Sequence, residues 1–403
     1  MTQQDRSFAP PSQGKRDSMP LFWAGMGTTA WFRLLARNRF RIGWRRWHVL
    51  LWVTAASLFH SMTRIEQWLM VGWQVKPELD NPPLFVLGHW RTGTTLLHEL
   101  LVQDPRHTAP TTYECFAPGH FIISRISAVW LLRFLLPARR PMDNMPVGWL
   151  RPQEDEFALC NLGLPSPYLT MAFPNEPPQD QEFLTLEHVS PEALGKWKRT
   201  FKRFLCEIGF RSKRGRRIVL KSPPHTARVK VLLEMFPDAK FVHIVRDPCT
   251  VFSSTMHLWT TLYATQGLQV PNYAGLDERV LQTLVDMYRR FEMDRELIPA
   301  GNICEIRYEQ LVADPLAEME RVYAELGLGG FENARPALKE FTAGIKGYET
   351  NRFRELSPDL INRIAEKWQF YADTYDYSFL PNVDAVPPRD VKAKDTPVQF
   401  LGP

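Results

Sequence analysis

The stretch that most constrains this chain is Pro83-Leu84-Phe85-Val86-Leu87-Gly88-His89-Trp90-Arg91-Thr92-Gly93-Thr94-Thr95-Leu96-Leu97. A short apolar run ends at a glycine, a polar loop follows, and a second glycine turns the chain. Two threonines then open a helix with Leu96, Leu97, Leu100 and Leu101 at helical spacing. The order is strand, phosphate loop, helix. The spacing from Gly88 to Gly93-Thr94-Thr95 is that of a Walker A loop, except that Thr94 stands where lysine is expected. Loop amides and the positive end of the following helix still suit a phosphate, and Arg91 supplies the fixed positive charge inside the loop. A nucleotide hydrolase or kinase needs the missing lysine at the β and γ phosphates and an acid for Mg²⁺. The change therefore points to a phosphate-bearing ligand handled without NTP hydrolysis. The alternatives are a P-loop nucleotide-binding protein or kinase, a non-catalytic binder on the same fold, and an ordinary strand-to-helix turn.

Three more strand signals follow the same pattern. Arg217–Lys221 is β-branched and leads through Ser222-Pro223-Pro224-His225 into a helix; Ala239–Arg246 leads through Asp247-Pro248 into a helix over Val251–Leu262. Asn302–Glu309 leads into a helix over Leu311–Leu326 that Gly327 stops. Strands alternating with helices over short connections predict an α/β fold, a P-loop-like parallel sheet flanked by helices, with ligands at the strand carboxyl ends. Arg91, Lys221 and Arg246 all fall at or just past such ends. With the hydroxyls of Thr94, Thr95, Ser222 and Ser254 they describe a site for a ligand with several anionic groups.

Between these units, helical spacing is read over 122–136, 194–208, 276–297 and 358–376. Thr111–Phe116 is β-prone and reads as a short strand with Glu114 on its loop side. Glu154-Asp155-Glu156 reads as a solvated helix start, the alternative being that one of these acids faces the acceptor. The proline-rich stretch 163–191 reads as loops suited to a substrate lid, and the basic run Arg211–Arg217 as a solvated loop rather than a nucleic-acid patch.

A hydrophobic content of 44% with 23% charged residues fits a globular protein with a sizeable core, and a net charge of +5 favours anionic ligands without implying nucleic acid. Five scattered cysteines without CxxC spacing argue against a disulfide framework or thiolate metal site, and for a reducing, cytoplasmic setting. Residues 1–20, which carry no secretory signal, and 384–403 read as flexible termini. Residues 21–78 read as a helical N-terminal segment ahead of a domain over 79–383. Its longest apolar stretch, His48 to Met62, is shorter than the ~20 residues of a spanning helix. Six arginines, Arg33 to Arg46, are interleaved there with Trp23, Trp31, Trp44 and Trp47. Two readings stay open for residues 21–62: peripheral contact with the inner face of a membrane, or a helix pair packed on the core with its cationic face in water. Neither makes the segment part of the catalytic machinery.

Taken together, the motifs resemble those of the sulfotransferases that use 3′-phosphoadenosine 5′-phosphosulfate (PAPS). The likeness is to a bacterial branch nearer the Golgi carbohydrate and tyrosyl-protein enzymes than the cytosolic ones, and it covers about residues 83–378. Arg91-Thr92-Gly93-Thr94-Thr95 is similar to that family's 5′-phosphosulfate loop, and Ile244-Val245-Arg246-Asp247-Pro248 with Ser254 to its 3′-phosphate motif. The resemblance implies transfer of a sulfonate from PAPS to a hydroxyl of a glycolipid, carbohydrate or small alcohol by in-line displacement, without a metal. It implies donor contacts from Gly88, Arg91, Thr92, Gly93, Thr94, Thr95, Leu96, Arg246 and Ser254, with Lys346 and Arg352 over the 3′-phosphate. Arg91 and Lys221 would meet the charge that grows as the S–O bond breaks. For the base, Golgi-type relatives use a glutamate that Glu114 matches in place, and cytosolic members a histidine near a strand-end lysine. Here Pro223 holds that histidine's position and His225 lies two residues further on. Glu114 is the first candidate, His225 the second, and the acids at 154–156 the remainder.

Overall fold

The computed structural model describes residues 20–132, 148–212, 215–344 and 356–379. Two helices come first, α1 (Thr28–Arg37) and α2 (Trp47–Val71). Next are β1 (Leu84–Leu87), α3 (Thr94–Leu101), β2 (His107–Thr108), α4 (Thr112–Phe116), α5 (Phe121–Leu132) and α6 (Asp155–Asn161). The middle of the chain gives α7 (Pro191–Arg211), β3 (Arg217–Lys221), α8 (Val229–Met235), β4 (Lys240–Val245), α9 (Pro248–Gln266), α10 (Leu276–Arg295) and β5 (Ile303–Arg307). The last helices are α11 (Tyr308–Ala313), α12 (Pro315–Glu325), α13 (Phe331–Gly344) and α14 (Pro358–Tyr375).

The strands form one parallel sheet in the order β2-β3-β1-β4-β5. Successive strand residues point to opposite faces, and both faces are covered. Phe85, Leu87, Leu220 and Phe241 join one apolar cluster, whereas Leu84, Val86, Val219 and Val242 join the other. That is why β1 and β4 read as continuous apolar runs rather than alternating ones. From β1 the chain crosses toward β2 on one side, and from β4 toward β5 on the other. The crevice between β1 and β4 is therefore the switch point where ligands of such sheets bind.

Two elements differ from expectation. Thr111–Phe116 is the helix α4, not a strand, because Thr111 and Glu114 form a reciprocal capping box across its first turn. The single helix expected over 311–326 is two, α11 and α12, broken at Asp314-Pro315, where the Asp314 carboxylate caps the second by accepting from the Ala317 amide. The segment before β1 is part of the main core: Trp31, Leu34 and Leu35 on one face of α1 are buried. Trp23 stacks on Trp31, and the Phe22 amide and Trp23 indole both donate to Gln266 at the end of α9.

Candidate active site

The loop after β1 is shaped by close approach. Gly88 has φ 145°, and a Cβ there would lie 2.7 Å from the Ile244 carbonyl; Gly93 has φ 101°, and a Cβ there would lie 2.3 Å from the Tyr308 ring. Arg91 also adopts a left-handed conformation, φ 73°, which a non-glycine residue holds only when its surroundings fix it. They do. Thr92 Oγ1 donates to the His89 carbonyl at 2.8 Å, the Arg91 carbonyl accepts from Arg246 Nη1 at 3.1 Å, and Arg91 Nε donates to Ser254 Oγ at 2.8 Å. The two motifs separated by ~150 residues in sequence thus meet in one cluster. Arg246 lies over the Tyr308 ring at 3.9 Å. Burial pushes its pKa down from the usual value, yet a guanidinium stays cationic in any protein setting. The side chain of Leu96, expected among the donor contacts, is half-buried against the apolar cluster on the far face of the sheet.

Lys221 ends β3, next to Val86 of β1 in register. It is 1% exposed, and its Nζ donates to Glu154 Oε1 at 2.6 Å. The other oxygen, Oε2, accepts from the Tyr168 hydroxyl at 2.6 Å, which in turn accepts from the Trp90 indole at 3.0 Å. Burial, reinforced by the Glu154 charge, holds the Tyr168 pKa well above its usual value, so the phenol remains a donor at neutral pH. Glu154 lines a cleft together with Arg91, Thr94 and Thr95 and the apolar side chains of Phe22, Phe157, Met171, Leu258 and Leu262.

The three acids at 154–156 are not a solvated helix start. Asp155 and Glu156 are fully buried. Asp155 accepts from Ser222 Oγ at 2.9 Å and pairs with His225 Nε2 at 2.6 Å. Burial alone would raise the Asp155 pKa, but His225 and Ser222 together hold it below the usual carboxylate range. Glu156 is clamped by Arg228 at 2.6 Å and by Ser166. Only Glu154 faces the cleft, a choice set by which long-range partner each acid meets.

The structure places the other expected base residues elsewhere. Glu114 is completely buried, capping α4 through the Thr111 amide and paired with Arg211 at 2.7 Å. This corrects the expectation of a strand-end acid facing the loop, and equally that of Arg211 as part of a solvated run. His225 is buried between Phe85 and Phe201 and faces Asp155 rather than the cleft. Ser222, expected among the ligand hydroxyls, is spent on Asp155 in the same way. Lys346 and Arg352 lie outside the described residues. Sequence reasoning missed Trp90 and Tyr168, which position Glu154, and Phe22, which brings the N-terminal segment to the cleft. The T-x-x-E capping box at 111–114 was the available signal against a strand; no local pattern marks Tyr168.

The class of protein is set by comparison: a chain with a parallel sheet, a glycine-bounded loop after β1 with Arg246 beside it, and a carboxylate–lysine pair at an adjoining cleft matches the model of a known transferase family. The sulfotransferase family model matches residues 82–333. The omega-hydroxy-beta-dihydromenaquinone-9 sulfotransferase Stf3 of Mycobacterium bovis is 46% identical over 373 residues, covering 92% of this chain and 95% of that protein. Among solved structures, sulfotransferase STF9 from Mycobacterium avium superposes with a TM-score of 0.61 at 21% identity, covering 78% of this chain and 82% of that one. Sulfotransferase STF1 from Mycobacterium tuberculosis gives 0.53 with the same identity and coverage. The chain belongs to the sulfotransferase family, whose donor in general is PAPS, and it is an enzyme of that class.

Proposed function

We propose that this protein transfers the sulfonate of PAPS to a terminal hydroxyl of an apolar, lipid-type acceptor, with Glu154 as the general base. The observation that carries the reading is the Glu154 carboxylate itself, held by Lys221 and Tyr168 at the junction of a cationic loop and an apolar cleft. Loop amides, Thr94 and Thr95 are suited to the 5′-phosphate, and Arg246 to the 3′-phosphate. The tight packing around Gly88 and Gly93, where any Cβ would collide, supports a cradle built for close backbone approach. As the acceptor oxygen attacks sulfur, its proton passes to Glu154. The bond from sulfur to the bridging phosphate oxygen breaks, and Lys221 and Arg91 neutralise the charge left on that oxygen. The products are the sulfate ester and 3′-phosphoadenosine 5′-phosphate (PAP).

For the acceptor, the apolar lining of Phe22, Phe157, Met171 and Leu258 favours a hydrocarbon chain over a sugar. The name of the Mycobacterium bovis relative specifies a hydroxylated menaquinone, and a hydroxyl at the end of an isoprenoid chain is the matching chemistry here. A cytoplasmic setting goes with it, since all five cysteines are unpaired. The test is incubation with ³⁵S-labelled PAPS and, separately, an omega-hydroxylated isoprenoid quinone, a simple sugar alcohol and a phenol. Label should enter the organic phase with the quinone; label found only in the sugar or phenol reactions would overturn the acceptor reading.

A further inference from the structure

We infer that the outer ridge of α2, extended by α5, is a docking surface for an anionic lipid bilayer. Trp73, just beyond the end of α2, is 79% exposed, and along the helix Trp47, Leu51, Leu58, Met62 and Leu69 are 53–71% exposed. At 100° per residue they fall within about one third of the helix circumference. Trp52, Phe59 and Met70 form a second exposed row beside them. Only Val53, Ser57 and Gln67 of this helix are buried. α5 packs on α2 through the Ile122 amide on Gln67, with the His60–His120 contact just ahead of its first turn, and it exposes Ile126 and Leu131. His48 and Glu66 stand exposed between the two rows of α2, and the rest of this face is apolar along the whole helix; an apolar surface of this size marks an interaction surface.

Charge decides what covers it. Residues 21–78 hold eight basic side chains and two acidic ones, whereas the whole chain carries +5, so the chain's excess positive charge is carried by this segment. Arg37 and Arg41 are paired with Asp180 and Glu176, while Arg33, Arg39 and Arg45 stand exposed at the start of the ridge. Toward its far end, Arg64, Arg199 and Arg203 rim a groove of about 260 Å³ between α2 and α7, where Arg203 pairs with Glu207 at 2.7 Å. Tryptophans mark both ends, Trp44 and Trp47 at one and Trp68 and Trp73 at the other, as suits a bilayer interface. A second copy related by a two-fold axis would set this arginine-rich, acid-poor surface against itself. No described helix is long and apolar enough to cross a membrane, so the ridge lies along the surface.

The ridge also adjoins the cleft. Arg46 donates to the Ala264 carbonyl and the Gly43 amide to that of Leu268, fixing the start of α2 beside the end of α9, whose Leu258 and Leu262 line the cleft. Docking does not depend on the acceptor; that it brings a lipid hydroxyl to Glu154 rests on the function proposed above.

The test is flotation of the full chain with vesicles of phosphatidylglycerol and phosphatidylcholine, and with phosphatidylcholine alone. The wild type should float with the anionic vesicles and partly dissociate at ~1 M salt, where screening is nearly complete. A Leu58→Ser, Met62→Ser variant should partition at least about tenfold less. An Arg39→Gln, Arg45→Gln variant should lose the salt-sensitive part, with melting temperature and PAP binding unchanged in both. Wild-type protein that stays in the aqueous fraction would overturn the inference, as would a Leu58, Met62 variant that floats equally well. So would a stable dimer in light scattering that this variant dissociates, because a second copy would then own the ridge. Vesicle binding without sulfation of any lipid leaves docking intact and counts against the acceptor alone.

Discussion

At Glu154 two neighbours hold one carboxylate in place: Lys221 on one oxygen and Tyr168 on the other. Replacing it by glutamine keeps the size of the side chain, lets the amide oxygen accept from Lys221 and the amide nitrogen donate to Tyr168, and removes the proton acceptor. Glu154→Gln should lower kcat by roughly 10²–10⁴-fold, the usual worth of a general base, while PAP binding measured by calorimetry stays within a few-fold. Glu114 is the control. It is buried against Arg211 and caps α4, and removing one member of a buried pair costs about 3–5 kcal/mol. Glu114→Ala should therefore shift the urea midpoint strongly, yet leave the kcat of the remaining folded protein near wild type; the reverse pattern in the two variants would return the base to Glu114. Gly93→Ala tests the loop. A Cβ 2.3 Å from the Tyr308 ring at φ 101° must displace either the loop or the ring, so PAP affinity should fall by at least about tenfold, about 1.4 kcal/mol.

At the scale of elements, the junction of α2 with α5 carries a built-in pH dependence. His60 and His120 share a hydrogen bond of 2.8 Å. Burial lowers both pKa values from 6.5 to about 4, with the His60 charge adding to the effect on His120. Between those values the unfolded chain binds more protons than the folded one, so stability falls as pH drops from 6.5 toward 4. Melting temperatures across that window should decline for the wild type and decline less steeply for His60→Gln; parallel curves would remove these histidines from the explanation. The strand–helix units were legible because each is a contiguous pattern: an apolar run, a turn signal and a helical repeat. α4 was misread because β-prone residue types outweighed a capping box that spans only four positions.

In the whole molecule, the N-terminal segment is neither a separate module nor a detachable anchor. Phe22, Trp23, Trp31 and Leu34 lie in the same buried cluster as Phe85 and Leu220 of the central strands, and Phe22 reaches the cleft. A chain starting at residue 79 should consequently give little soluble protein and no cooperative melt, even though the family model begins only at residue 82; a stable, active truncated enzyme would contradict this. The amino-acid sequence by itself determined the strand–loop–helix unit at 84–101, the parallel α/β sheet and the placing of Arg91, Lys221 and Arg246 at strand ends, because each is encoded within a dozen neighbouring residues. Only the tertiary structure decided which of three consecutive acids faces the cleft. Glu154, Asp155 and Glu156 are sorted by Lys221, His225 and Arg228, partners about seventy residues away whose positions follow from how β3 and α8 pack against α6, and no local pattern records that packing.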